Sequence, residues 1–370
     1  MLKSIETRVL RWIGVDRYLP LQIDITNACN LSCTHCYHPH HRNEGALSLS
    51  DWVRILDDYD QMTARLGYRP SVTICGGEPL ASPLLEPLLI KIKSFARRYR
   101  VSILTNGTLA NTKVKPGWNL GLESLSFQVS VDGPDPARHD AIRGAGAFAR
   151  AVAGARHLMG LGYPVHFLAV LSTESAPAIP EFFEMAAQVG VRHMAFTRLV
   201  AGGTAATDSA ARTLGPQALK EAYLSILRES AKHKISSSHQ YPLFHLLHPG
   251  LGRSGRFWEG LVVDYQGKLL ASSRSRLRLG DVREKGLEKL FLEHPHFLRL
   301  RRGEIKGCGP CKHYLQCGGD RNVAWAETGD YFGRDPGCWL PPAEARKPAR
   351  QFFVNWNSFL NKKPALGGNA

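Results

Sequence analysis

Short apolar runs alternate with amphipathic segments along the first two thirds of this 370-residue chain. The apolar runs have the length of β-strands and cover residues 21–26, 71–75, 101–104, 125–131, 164–171 and 192–198. The amphipathic segments repeat apolar residues every three to four positions, which predicts helices, at 49–66, 83–99, 147–161 and 178–189. Strands separated by helices predict βαβ units, and hence an α/β fold with a parallel sheet.

The first predicted helix shows this pattern clearly. Ser48 or Ser50 can supply an N-cap, because a serine hydroxyl accepts a hydrogen bond from an unpaired backbone N–H. The apolar positions that follow are Trp52, Leu56, Tyr59, Met62 and Leu66. Further along, the pattern predicts a helix at 216–233, a hairpin at 261–270 with its turn near Gly267, and a helix at 286–301.

Composition shifts divide the chain, which is long enough for two domains. The predicted parts are a lead-in at 1–20, a core at 21–233, a linker at 234–256, a second domain at 257–345 and a tail at 346–370. A loop of small residues at 200–215 is interpreted as a lid or as an exposed linker. The tail is expected to fray.

The chain carries 47 Lys and Arg against 32 Asp and Glu, a formal net charge of +15 at pH 7. This excess favours acidic partners such as nucleic acid, acidic peptides, carboxylated small molecules or acidic electron donors. Without interleaved aromatic and basic residues or a helix-turn-helix pattern, nucleic acid is not expected. No apolar run reaches the roughly 18 residues of a membrane span, and the N-terminus has charges where a signal peptide needs an apolar core. The expected location is therefore the cytoplasm, with no membrane partner.

Cysteines in the cytoplasm serve as metal ligands or reduced thiols more often than as disulfides. Seven of the eight fall into two groups. The first group, Cys29, Cys33 and Cys36, follows the first predicted strand with the spacing CxxxCxxC. Three thiolates are one short of the four that an iron–sulfur cube normally takes, so the spacing predicts a cluster with one iron open to another ligand. A zinc site that includes His35 and a chance group of core cysteines are the alternatives.

A glycine-rich motif, Gly76-Gly77-Glu78-Pro79, stands at the end of the second predicted strand. Parallel α/β folds place their active groups at such strand ends. The glycines would let the backbone approach a ligand, and the carboxylate could pair with an ammonium group. A simple turn is the alternative. The neighbouring Cys75 is interpreted as a buried thiol and not as a ligand.

The next two predicted strands also end in polar residues. Thr105 and Asn106 follow the third strand, and Ser130 and Asp132 lie at the end of the fourth. Asn-Gly and Asp-Gly pairs form turns readily, so each of these motifs is weak alone. A segment of the form HDxxRG then follows and contains Arg143.

Taken together, the three-cysteine loop, the aromatic residue after it and the Gly-Gly-Glu-Pro and HDxxRG segments resemble the radical S-adenosylmethionine (SAM) superfamily. The resemblance implies a partial (β/α)6 barrel and a [4Fe–4S] cluster whose open iron binds SAM. It also implies reductive cleavage of SAM to a 5′-deoxyadenosyl radical. The SAM contacts that it implies are Tyr37, Gly76, Gly77, Glu78, Pro79, Thr105, Asn106, Ser130, Asp132 and Arg143. Arg143 would meet the SAM carboxylate or form a helix-end salt bridge, and Arg198 is a weaker candidate of the same kind.

The C-terminal part resembles the SPASM domain of radical SAM enzymes, a small α+β domain that normally holds two auxiliary clusters. The positions that the resemblance sets against ligands of the first cluster include Ser272 and Asp320, and there is no cysteine between Cys75 and Cys308. The ligands expected for the second cluster are all present: Cys308, Cys311, Cys317 and Cys338. The resemblance therefore implies one auxiliary [4Fe–4S] cluster that has no open iron and relays electrons. A structural zinc site is the alternative.

Basic residues are frequent between 274 and 306. Arg274, Arg276 and Arg278 alternate, so on a strand they would share one face, either solvated or facing an anion. The histidines that follow the cysteine loop, His38, His40 and His41, are interpreted as residues of a solvated loop.

The resemblance implies a radical SAM oxidoreductase or maturase. Relatives of this build mostly cross-link or oxidise ribosomally made peptides, which is the first hypothesis. A separate leader-peptide-binding protein and a flavodoxin or ferredoxin-type electron donor are the expected partners, with a peptide or small acidic molecule as substrate. Tailoring of a tetrapyrrole is the second hypothesis, supported by the segment from Cys317 to Arg321. A non-catalytic iron–sulfur scaffold is the third, although a scaffold would not need the motif at 76–79.

Overall fold

The computed structural model describes residues 18–38, 42–200, 202, 212–237, 242–247, 260–314 and 317–341. The predicted tail, most of the lead-in, linker and 200–215 loop, and the residues His40 and His41 lie outside these described residues. Among the helices of the described part, none combines the length and the apolar content needed to cross a bilayer.

A ten-stranded sheet runs through the described residues in the order β10-β9-β8-β1-β2-β3-β4-β5-β6-β7. Neighbouring strands pair in parallel from β8 through β1 to β7, and antiparallel from β8 to β10. The strands are β1 (Tyr18–Asp24), β2 (Arg69–Cys75), β3 (Arg100–Thr105), β4 (Ser124–Ser130), β5 (Val165–Leu171), β6 (His193–Arg198), β7 (Ser236–Ser237), β8 (Leu261–Val263), β9 (Lys268–Leu270) and β10 (Arg278–Asp281). All six strands predicted in the core are present, with starts within three residues of the prediction.

Helices connect the parallel strands, as the alternating pattern predicts. The helices are α1 (Leu49–Leu66), α2 (Leu85–Ser94), α3 (Ala110–Lys113), α4 (Pro136–Arg143), α5 (Ala147–Gly160), α6 (Ile179–Val189), α7 (Pro216–His233), α8 (Val282–Lys285), α9 (Leu287–Glu293), α10 (Pro295–Arg301) and α11 (Arg321–Thr328). The predicted α/β fold is confirmed.

The residues at the two ends of helix α1 explain where this helix begins and ends. Ser48 is the N-cap: its hydroxyl accepts from the backbone N–H of Asp51 at 3.2 Å, and the Asp51 carboxylate accepts from the Ser48 N–H at 3.0 Å. This reciprocal capping box stabilises the first turn. At the other end Gly67 adopts φ +73°, which suits glycine. The predicted apolar stripe is buried against the sheet, except that Leu66 is only partly buried.

The predicted helix at 286–301 is wrong as a single helix. The structure divides it into α9 and α10, with His294 extended between them at ψ 131°. Pro295 is the physical reason. Its ring lacks an N–H and clashes with a helical residue before it, so one helix ends and the next begins with proline in its first turn.

The C-terminal hairpin joins the sheet of the core. Strand β8 pairs in parallel with β1, so that Leu21 lies opposite Leu261 and Ile23 opposite Val263. The predicted turn is present at Gly267, which has φ +81°. Strand β9 returns antiparallel to β8 and places Leu270 opposite Val262, so the loop that follows β9 begins beside the sheet of the core.

The prediction that three arginines share one strand face is wrong. Strand β10 begins only at Arg278, and Arg276 has φ +51° within the turn that precedes it. The turned backbone points Arg276 inward, where its Nη1 lies 2.9 Å from the buried Asp24 carboxylate. Arg274 is also mostly buried.

Candidate active site

The carboxyl ends of strands β1 to β6 surround one cavity of about 350 Å³. Each of these six strands contributes at least one lining residue. The predicted site residues that line it are Cys29, Cys33, Cys36, Tyr37, Gly76, Gly77, Thr105, Asn106, Ser130 and Arg143. Residues that are distant in sequence are therefore brought together where a parallel fold places its active groups.

The three cysteines of the first group follow β1 on a loop whose sulfurs receive N–H donors. The backbone N–H of Leu31 lies 3.5 Å from Cys29 Sγ, and Asn106 Nδ2 lies 3.9 Å from the same atom. Arg143 Nη1 lies 3.9 Å from Cys33 Sγ. Such donors and a guanidinium suit thiolates better than thiols.

Burial sets the protonation of these cysteines in the absence of a metal. Burial raises the pKa of Cys29 to about 11 and also raises the pKa of Cys33, although Arg143 opposes the second shift. A metal ion displaces such protons when thiolates bind it. Three sulfurs that line one cavity fit a cluster with one ligand missing. His35, the fourth ligand in the zinc alternative, has its Nε2 engaged 2.8 Å from Asp132.

The two glycines after β2 lie directly against the start of the cysteine loop. The backbone N–H of Gly77 donates to Thr26 O, and that of Glu78 donates to Ala28 O, both at 2.9 Å. A Cβ on Gly77 would lie 2.2 Å from Ala28 O, and one on Gly76 would lie 2.1 Å from Thr26 O. Only glycine permits this close approach of two backbones, which fixes the glycine motif beside the cysteine loop.

Replacing Gly77 with alanine is expected to weaken SAM binding by about 10-fold or more, because overpacking here displaces the loop at a typical energy of about 1–3 kcal/mol. Equilibrium dialysis of SAM with the reconstituted protein measures the change. Gly160→Ala is the matched control, since a Cβ on this exposed helix-end glycine has no atom within 4 Å. Unaltered SAM affinity in Gly77→Ala would contradict the packing argument.

Glu78 is held by the chain itself. Its fully buried carboxylate accepts from the hydroxyl of Thr105 and the backbone N–H of Asn106, both at 2.7 Å, and from the N–H of Leu80 at 3.0 Å. Burial raises the pKa of Glu78, while these donors oppose the rise. Glu78 and the buried Pro79 are not among the described residues that line the cavity. Glu78 thus ties the end of β3 to the glycine motif.

Asp132 organises the far side of the cysteine loop. It accepts from Arg143 Nε at 2.5 Å, from His35 Nε2 at 2.8 Å and from the N–H of Val170 at 2.9 Å. Burial alone would raise the pKa of Asp132, but Arg143 and His35 outweigh it and hold this pKa well below its usual range. Asp132 therefore positions the guanidinium that approaches Cys33, from just behind the cavity.

Each polar residue of the HDxxRG segment makes a contact that stabilises the surrounding structure. The His139 ring accepts from the N–H of Asp132 at 3.3 Å, and Asp140 accepts from the N–H groups of Gly146 and Phe148 at the start of α5. Arg143 ends α4, pairs with Asp132 and also lines the cavity. The helix-end salt bridge is therefore present, and a contact with SAM stays a prediction.

Two histidines differ from the sequence interpretation. His38 is buried rather than solvated, and its Nδ1 lies 3.1 Å from Asn27 Oδ1. The pairing of His35 with Asp132 was not predicted either. The position of His35 between Cys33 and Cys36 was a sequence signal for this residue, but its partner Asp132 is 97 residues away in the chain.

The second cysteine group lies on two turns around α11. Burial raises the pKa of Cys317 to about 12 and also raises that of Cys308, and the thiol of Cys338 adds to both shifts. The backbone N–H of Cys311 donates to Cys308 O at 2.9 Å, which closes the CxxC turn. Arg321 Nη1 donates to backbone carbonyls of the second turn and opposes the rise at Cys308. Four thiols are a suitable donor set for iron or zinc, but the described residues contain no group of three or more metal-ligating side chains arranged to hold a single metal ion.

A buried ion pair joins the end of β6 to the turn that carries Cys338. Arg198 Nη1 lies 2.9 Å from both carboxylate oxygens of Asp335. Asp335 also accepts from the N–H groups of Asp320 and Gly337, at 2.7 and 2.8 Å. Arg198, predicted as a weak SAM contact, lines the cavity and at the same time pairs with the turn that carries Cys338.

Residues 23–186 match the family described as Radical SAM superfamily. An AdoMet-dependent heme synthase from Methanosarcina barkeri is 28% identical and covers 87% of this chain and 96% of its own length. The mycofactocin maturase MftC from Mycobacterium ulcerans is 29% identical and covers 88% of this chain and 89% of its own.

A solved structure is also similar. Streptococcus suis SuiB bound to precursor peptide SuiA matches with a TM-score of 0.67 and 18% identity, covering 92% of this chain and 80% of that chain. At this identity the similarity concerns the fold, which it confirms as a parallel partial barrel followed by an antiparallel region.

Proposed function

Because this chain is a radical SAM enzyme, we propose that it oxidatively modifies or cross-links a ribosomally made peptide or protein. The cavity carries this proposal. Its volume of about 350 Å³ is at the low end of the range of about 300–1,000 Å³ for ligand pockets. We infer that SAM occupies part of this space and that one side chain or chain terminus of a larger substrate enters the rest. The similarity to a mycofactocin maturase supports the same substrate class.

The enzyme uses a [4Fe–4S] cluster and SAM, which when bound supply a 5′-deoxyadenosyl radical that removes a hydrogen atom from substrate. We assign the cluster to Cys29, Cys33 and Cys36, because all three residues line the cavity. Asn106 and Arg143 direct N–H groups to two of these sulfurs and thereby stabilise their negative charge.

The SAM contacts are proposed from the same cavity wall. Tyr37, Gly76, Gly77, Thr105, Asn106, Ser130 and Arg143 line it beside the cysteines. Glu78, Pro79 and Asp132 are instead proposed to hold these contact residues in place, since each lies behind the wall. Backbone groups of the glycine motif are the proposed partners of the SAM amino group.

We propose that Cys308, Cys311, Cys317 and Cys338 hold one auxiliary [4Fe–4S] cluster. Four thiolates saturate a cube, so this centre would exchange electrons with the substrate radical and would not bind substrate. The ion pair between Arg198 and Asp335 gives it a fixed position relative to the cavity. A flavodoxin or ferredoxin-type donor and a separate leader-peptide-binding protein are the proposed partners.

Anaerobic reconstitution is expected to give about eight irons per chain, four for each cube. Cys311→Ala is expected to lower this number to about four, while 5′-deoxyadenosine still forms on reduction with SAM and substrate turnover stops. Iron and zinc analysis with product chromatography measures each quantity. About four irons and one zinc in the unaltered protein would establish the zinc alternative for the second centre.

Tetrapyrrole tailoring is a second candidate, which one observation favours. Arg143, Arg198 and Arg274 line the cavity, and no Asp or Glu is among its described lining residues. A cationic wall suits propionate groups, and a heme synthase is 28% identical to this chain.

Mass spectrometry separates the two candidates. The reduced enzyme is incubated with SAM and either a candidate ribosomally made peptide or a porphyrin with four propionates. Loss of hydrogen atoms from the peptide supports the first proposal. An unchanged peptide together with a decarboxylated porphyrin would replace it with the second.

A further inference from the structure

The loop between β9 and β10 brings an arginine to the cavity wall. Ser273 and Arg274 both line the cavity, next to residues from the strand ends. The loop turns at Arg276, whose φ of +51° reverses the backbone before β10. Ser272 stands in the same loop, where the resemblance to SPASM domains expects a cysteine ligand. A loop associated with metal binding in that family thus presents a cation here.

Arg274 is held rigidly. Its backbone N–H donates to Asn322 Oδ1 at 3.1 Å, and its Nη1 donates to the backbone carbonyl of Arg198 at 2.6 Å. The side chain is only 16% exposed. Within the described part of the chain, Nε of Arg274 makes no hydrogen bond. A guanidinium that is fixed at one nitrogen and has donors left over is preorganised for a ligand.

The charge of Arg274 is the least compensated among the arginines of the cavity. Arg143 lies 2.5 Å from Asp132, and Arg198 lies 2.9 Å from Asp335. For Arg274 the nearest carboxylate oxygen is that of the buried Asp320, at 3.6 Å from Nη2, an ion-pair distance that is too long for a hydrogen bond. Asp320 therefore stabilises the cation without using its N–H donors, and these donors are left for a second anion.

We infer that Arg274 is a specificity-determining residue that binds a carboxylate of the substrate. The inference rests on the proposed function, since it assumes that the substrate enters this cavity. The planar guanidinium fork matches a carboxylate with two parallel hydrogen bonds. Ser273 adds a hydroxyl on the same wall. The carboxylate belongs to an acidic side chain or C-terminus of a peptide, or to a propionate of a tetrapyrrole.

Binding of acid and amide probes tests this assignment on the reconstituted enzyme with SAM present. One arm uses a porphyrin with four propionates and its tetra-amide. The other uses the candidate ribosomally made peptide, with its carboxylates free or converted to amides. In at least one arm, Arg274→Gln is expected to weaken the acid by about 10-fold or more and the amide by less than about 2-fold. The arm that responds identifies the source of the carboxylate.

Arg278→Gln is the matched control, because Arg278 belongs to the same segment but its side chain is 57% exposed and does not line the cavity. It is expected to bind each acid as the unaltered enzyme does. Equal weakening of acid and amide, or no preference for acid in either arm, would overturn the assignment. The assignment would also be overturned if Arg274→Gln bound SAM more weakly but bound the acids unchanged. Arg274 would then contact the cosubstrate SAM instead of the substrate. Absence of 5′-deoxyadenosine in the unaltered enzyme would instead contradict the proposed function.

Discussion

Replacing Cys33 with alanine is expected to reduce 5′-deoxyadenosine formation to the limit of detection. Three cysteines provide the minimum set that leaves one iron open, and two thiolates no longer hold a stable cube. Iron is expected to fall from about eight to about four per chain, because the second group keeps its own ligands. Product chromatography after reduction with SAM, together with iron analysis, measures both effects.

Cys75→Ala is the control for this experiment. Cys75 is a buried thiol at the end of β2 and belongs to neither cysteine group. This variant is expected to keep about eight irons and to cleave SAM. If Cys33→Ala retained full iron content and product, the assignment of the open cluster to the first group would be wrong.

The alternation of strands and helices was predictable because it depends on local patterns. A capping serine, an apolar stripe and a terminal glycine determine α1 within about twenty residues, and the prediction of 49–66 is confirmed. The pairing of β8 with β1 was not predictable in this way. Leu21 and Leu261 are 240 positions apart, and nothing in either short apolar run specifies its partner.

The same distinction between local patterns and long-range contacts applies to the candidate site. The cysteine groups and the glycine motif were predicted from cysteine spacing and from position after a strand, which are local signals in the sequence. The contacts that support these motifs could not be predicted from the sequence. Arg198 and Asp335 are 137 residues apart in the chain, and Arg274 reaches the cavity only because the backbone turns after it. Glu78 shows a further limit: the sequence indicated its importance, but only the structure reveals that three donors of the chain occupy its carboxylate.

The second cysteine group depends on the core for its position. Arg198 is the last residue of β6, and Asp335 begins the turn that carries Cys338. Gly337 lies so close that a Cβ there would be 2.4 Å from Arg198 Nη2. Since Asp335 also receives two backbone N–H groups, its carboxylate fixes the turn and the arginine together.

Replacing Asp335 with alanine is therefore expected to lower the free energy of unfolding by about 3–5 kcal/mol, because it leaves the Arg198 charge buried without its partner. Denaturant titration of the reconstituted proteins measures the loss. Glu86→Ala is the control: it breaks an exposed pair with Lys115 and is expected to change stability by less than about 1 kcal/mol.

A double-mutant cycle separates the ion pair from the loss of the carboxylate alone. Arg198→Met combined with Asp335→Ala removes both charges, so the double variant is expected to lose less stability than the sum of the single losses. The difference of about 1–3 kcal/mol is the coupling between the end of β6 and the turn of the second group. Strictly additive losses would show that Asp335 acts only through the backbone N–H groups of Asp320 and Gly337, and the core would then not position the second group through this pair.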